Sequence, residues 1–155
     1  MINVRTEQSV FDDFMATRFD RLADFAADIG VVPPSRVVAD PPSALHEIDL
    51  FMREQNVEVE DVPWITSLLA VFVGEFLVNR FGGYWLICDD PRSRLCGRIA
   101  VRLRPSSPQP VYVDPFEVCL SFVTTPPARH LAPLLEEVVA AVHQALHRDP
   151  SATTG

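Results

Sequence analysis

Glu75 is the residue with the clearest chemical potential in this chain of 155 residues, because it interrupts an otherwise apolar stretch from Trp64 to Phe81. An unpaired carboxylate is costly to bury there. Such a group is either a general acid or base tuned by its surroundings, or one half of an ion pair at the rim of the core. The ion pair is the commoner outcome, with Arg80 or the arginines near residue 100 as partners. His143 and His147 are four residues apart and could hold a metal from one helix face, but neither H-E-x-x-H nor a neighbouring acid accompanies them. They read instead as imidazoles near a helix C-terminus, where positive charge is favoured. Asp89-Asp90 could offer oxygen ligands to a divalent cation, yet Pro91 and the arginines that follow describe an ordinary charged turn. His46 and His130 have no partner that the sequence identifies, and no G-x-S-x-G or similar nucleophile context occurs. The expectation is therefore no catalytic residue, no metal and no cofactor.

Composition narrows the chemistry further. All thirteen cationic side chains are arginine, so reactions that need a lysine amine, and a P-loop lysine, are excluded. Six glycines without a G-x-G-x-x-G argue against a glycine-rich nucleotide loop. Twenty-one acids give a net charge of −8, which opposes general affinity for nucleic acid or an anionic membrane and suits a cationic partner. Cys88, Cys96 and Cys119 are odd in number and lack C-x-x-C spacing, so reduced thiols are expected. The N-terminal residues lack the basic-then-apolar pattern of a signal peptide, and the longest uncharged run, 62–74, is thirteen residues, short of the ~20 of a spanning helix. These readings make the expected location cytoplasmic, with no membrane association.

The charges are segregated along the chain. Residues 1–91 hold sixteen acids and six arginines; residues 92–104 hold five arginines and no acid; residues 105–155 hold five acids and two arginines. One short basic segment is thus set in a chain that otherwise sums to −13. The arginines either pair with acids of neighbouring elements or grip an anionic ligand. The closely spaced Glu54, Glu58, Glu60 and Asp61 could in turn dock a basic protein.

Hydrophobic spacing supplies the elements that must position these residues. A helix is expected from Ser9 to Gly30, ended by Val31-Val32-Pro33-Pro34, with an extended connection to Pro41-Pro42 and a second helix from Ser43 toward Asn56. The acidic stretch 54–61 reads as a solvated connection or a short edge strand through Val57 and Val59. Asp61 and Pro63 then open a third helix to Phe81, apolar on all sides, closed by Gly82 and central to the core. Tyr84–Cys88, Arg98–Arg104 and Val111–Val113 are strands; in the second, Ile99, Val101 and Leu103 alternate with Arg98, Ala100, Arg102 and Arg104. Asp114–Phe122 fits either a fourth strand or a helix, and a last helix runs from Ala128 or Leu131 to His147. The fold class is α+β: helices, an antiparallel meander of three or four strands and a C-terminal helix, one domain over 1–148 with a frayed tail at 149–155.

The segment Gly74-Glu75-Phe76-Leu77, followed by Gly82-Gly83-Tyr84-Trp85, carries a G-E-x-L helix element and a G-G-x-W turn. It resembles an element of small bacterial α+β proteins, some of them similar to immunity proteins of toxin systems. The resemblance covers about a third of the chain and brings no catalytic residue. It implies structural roles: Gly74 for close approach of a neighbour, Gly82 and Gly83 for the turn, Trp85 for the core.

Two functions from different classes are then expected. The first is a non-enzymatic module whose acidic surface recognises a cationic protein, as an immunity protein or a secretion chaperone does. The second is a small enzyme or ligand-binding domain with an anionic ligand near Glu75 and the Arg98, Arg102 and Arg104 strand. The apolar third helix also leaves a homodimer open, should it reach the surface.

Overall fold

A computed structural model describes residues 4–147, and the tail expected at 149–155 lies outside the described residues. The elements are α1 (Val4–Asp28), α2 (Arg36–Ala39), α3 (Pro41–Arg53), α4 (Val62–Phe81), β1 (Gly83–Ile87), β2 (Ile99–Leu103), β3 (Val111–Val113), α5 (Pro115–Thr124) and α6 (Leu131–Leu146). This is an α+β arrangement, with three antiparallel strands in the order β1-β2-β3.

α4 is the axis of the molecule. Its sequence is apolar on every side, and twelve of its twenty residues are buried, because α1, α3, α5 and the strands β1 and β2 all pack against it. Burial of this kind is what makes an all-apolar helix stable in a globular chain. The uncharged run of thirteen residues understates the helix, which continues through Glu75 to Phe81. By length and composition the segment 59–81 could cross a membrane, although 56% of its most apolar window is buried within this fold.

The Trp85 ring of β1 sits against Gly74 of α4, where a Cβ would come within 2.0 Å of the indole Cζ2. Only glycine lets the sheet and the helix meet so closely. Gly83 is equally constrained, with φ of 150° and a would-be Cβ 2.0 Å from the Arg102 carbonyl oxygen. Phe14 and Phe116 complete an aromatic cluster around Trp85, with centroids 5.0 and 6.4 Å away.

Several local expectations are corrected. The connection after α1 is not extended throughout: α2 forms a short helical turn that sends Val37 into the core, because a proline restricts the residue before it and leaves those after it free. α3 begins two residues before Ser43, since Pro41 and Pro42 occupy its first turn, where the missing N–H groups have no intrahelical partner to lose. The stretch 54–61 contains no edge strand; it ends in a 3-10 turn at Val59–Asp61, closed by the Asp61 N–H donating to the Glu58 carbonyl at 2.9 Å. Asp114–Phe122 is helical rather than a fourth strand. Asp114 caps α5 by accepting from the N–H groups of Phe116 at 2.9 Å and Glu117 at 3.2 Å, and this local bonding outweighs the alternating pattern. On β2 the outward row is not uniformly solvated, for Ala100 is fully buried.

Candidate functional site

Glu75 is held by partners the sequence did not suggest. Its Oε1 accepts from the Trp85 indole N–H at 2.9 Å and lies 3.5 Å from Nε of Arg18, on α1. Neither Arg80 nor Arg98 nor Arg102 pairs with it. α1 crosses α4 at this level, and the carboxylate fastens that crossing and the β1 contact together. None of the four surface clefts described below includes Glu75 in its walls.

The basic segment is largely answered from within the chain. Arg98 lies 3.4 Å from Oδ2 of Asp114 and 3.1 Å from Oε2 of Glu117, and Arg94 reaches the same Glu117 oxygen at 2.9 Å. The hydrogen bond from Arg94, with burial acting against it, holds the Glu117 carboxyl below the ordinary carboxylate value. Arg92 pairs with Asp90 at 3.6 Å. Arg102 and Arg104 have no carboxylate partner among the described residues. Arg102 stands between Tyr84 and Tyr112 in a row across the three strands. Arg104 lies past the strand end with φ of 46°, and its N–H donates to the Gly82 carbonyl. Burial pushes the Tyr112 phenol above its ordinary pKa.

Clefts of about 270 and 350 Å³ flank β3 on the side facing α6. The walls of the first are mostly apolar and those of the second mixed, and the charged groups Arg94 with Glu117 and Arg92 with Asp90 are already paired. His143 packs edge-on against Phe81 and stacks with His147 at 6.1 Å, and no group of three or more metal-ligating side chains exists among the described residues.

The acidic turn differs from all of this. Glu54, Glu58, Glu60 and Asp61 are exposed, and among the described residues none of them forms an ion pair or a side-chain hydrogen bond. Asp61 occupies the residue before α4 without capping it, so its carboxylate is uncommitted. Beside these carboxylates Val59 is 85% and Trp64 57% exposed, although both are large and apolar. Trp64 meets Phe25 in a T-shaped contact, ring centroids 6.5 Å apart, and otherwise stands largely in water.

Two clefts border this turn. The smaller, about 170 Å³, has Phe51, Met52, Asn56, Asp61 and Trp64 in its walls; the larger, about 450 Å³, lies between Val57, Val59 and Val62 on one side and Val123 to Arg129 on the other. Arg129 fastens the turn from beneath. It is only 5% exposed, its two Nη atoms donate to the carbonyls of Thr125 at 3.0 Å and Gln55 at 2.8 Å, and its main-chain N–H donates to the Arg53 carbonyl. Burial without a paired carboxylate lowers its pKa from the usual arginine value. Sequence reading identified the four acids but missed Trp64, assigned to the core by its apolar neighbours, and Arg129, whose partners are carbonyl oxygens that no side-chain pattern reveals. No family model matches the chain, and no curated protein or solved structure matches it either.

Proposed function

We propose that this protein is a non-enzymatic binding module that recognises a cationic protein through the face built by Glu54, Glu58, Glu60, Asp61, Val59 and Trp64. The observation that carries this reading is the set of four like-charged, uncommitted carboxylates within eleven residues of chain, 54–64, that also expose Val59 and Trp64. Mutual repulsion among such carboxylates works against the fold, and a basic partner relieves it. An exposed tryptophan among polar neighbours is also the residue type that most often anchors a protein interface. A role like that of an immunity protein or a secretion chaperone is the specific form of the proposal, in keeping with the resemblance of the Gly74–Trp85 segment. The competing ligand site near Glu75 has less behind it, because Arg18 and Trp85 occupy that carboxylate and Asp114 and Glu117 occupy Arg98.

A calorimetric titration with an arginine-rich peptide at low salt tests the reading. The variant Glu54→Gln/Glu58→Gln/Glu60→Gln/Asp61→Asn should bind at least about tenfold more weakly, and raising the salt should weaken the wild type toward it. Neutralising four exposed acids of α1, Asp12, Asp13, Asp20 and Asp24, is the control. Equal losses in both variants would mean that the peptide senses only net charge, and the proposed face would be discarded.

A further inference from the structure

Resting on that reading, we infer that the small cleft beside Trp64 is a receptor for one arginine side chain of the partner. At about 170 Å³ it is smaller than the ~300 Å³ at which pockets for whole small molecules begin, so it suits a single side chain. Its walls divide by chemistry in the way a guanidinium on an aliphatic stem requires. Phe51, Met52 and Ile65 offer apolar surface to the stem. The exposed Trp64 lines the cleft, and tryptophan is the best of the aromatic rings for contact with a cation, arginine its more frequent partner. Asp61 supplies an uncommitted carboxylate at the same cleft, and the Asn56 amide oxygen supplies a neutral acceptor. A planar, forked donor uses two such acceptors better than a point charge does, which favours arginine over lysine. Among the described residues no arginine lines this cleft, and the buried Arg129 spends its donors on the Gln55 and Thr125 carbonyls.

The decisive measurement follows the indole N–H signals of the full chain by NMR, with Trp64 assigned as the signal absent from Trp64→Phe. Blocked arginine, Nα-acetyl-arginine methylamide, should move the Trp64 signal and leave that of Trp85 in place, and the uncharged citrulline analogue should move neither. An all-arginine nonapeptide should lose about fivefold or more in affinity on Trp64→Ala, retain part of it in Trp64→Phe, and lose more on Asp61→Asn than on Glu60→Gln. Nonapeptide binding that leaves the Trp64 signal still, with Asp61→Asn no worse than Glu60→Gln, would overturn the arginine receptor and leave the acidic face standing. A citrulline response equal to that of arginine would also overturn it, as a plain apolar pocket. Absence of any nonapeptide binding at low salt would remove both readings together.

Discussion

The segment Arg92–Arg104 and the turn at Glu54–Asp61 each concentrate charge of a single sign, and they treat it in opposite ways. Three of the five arginines, Arg92, Arg94 and Arg98, are met by Asp90, Asp114 and Glu117 within 3.6 Å. All four carboxylates of the turn go unanswered among the described residues. Charge that a chain pairs with itself orients its own elements, as Arg98 and Arg94 seat the start of α5 against the sheet side. Charge that it leaves crowded and unpaired works against the fold, and locally inconsistent features of this kind are where function is concentrated. The contrast gives each region a distinct mutational signature: stability should answer to the paired region, and binding of basic peptides to the unpaired one.

Arg129 is the sharpest test of that separation, because it ties the chain leading from α3 into the acidic turn to the segment before α6. Arg129→Met keeps most of the buried stem and removes the donors to Gln55 and Thr125. Two charge-assisted hydrogen bonds are lost and two carbonyls left short of a partner, for a cost of about 3 kcal/mol, or roughly 6–12 °C in melting temperature. Binding of the basic peptide should fall as well, although no acid has been touched, since the turn is no longer held between its two clefts. Thermal unfolding and titration of the same variant measure both effects. An unchanged melting temperature would show that the turn is positioned by something else.

Asp114→Ala should show the opposite pattern. This buried carboxylate caps α5 through two N–H groups and faces Arg98, and losing a cap of this type costs typically about 1–2 kcal/mol. Peptide affinity should stay within about twofold, because the site lies in the paired region. A matching loss of affinity would break the proposed division of labour.

How much of this could be read beforehand depended on the range of the interaction responsible. The apolar run Trp64–Phe81 declared the central helix, and the alternation at Ile99–Leu103 declared a strand, because periodicity is a local signal. Close approach at Gly74 and a turn at Gly83 were implied only by the resemblance of their segment, and a Cβ at Gly74 would indeed clash with Trp85. Glu75 was legible as needing a partner but not as needing Arg18, fifty-seven residues earlier, because the crossing of α1 over α4 is a tertiary fact. The four acids were visible in the sequence, whereas the exposed Trp64 beside them was not: one helix turn decides whether an aromatic in an apolar run faces the core or water. Arg129 was invisible for a related reason, since its partners are backbone carbonyls of two separate segments.

Glu117 gives the smallest effect and the finest version of the comparison. The hydrogen bond from Arg94 lowers its pKa from the ordinary 4.5, with Arg98 adding to the same direction. A carboxyl group whose folded pKa is depressed binds fewer protons folded than unfolded in that range, so its stabilising contribution is fully present above the ordinary value and fades as the pH falls through the folded one. The melting temperature of the wild type should therefore decline more steeply below about pH 4.5 than that of Glu117→Gln, and the two curves should converge at the acid end. Because the side chain is 46% exposed, salt at neutral pH should also narrow the gap between them. Parallel unfolding curves across this range would mean that the Arg94–Glu117–Arg98 cluster carries no net stabilisation. The basic segment would then be as uncommitted as the acidic turn, and the contrast between the two regions would reduce to the sign of their charge.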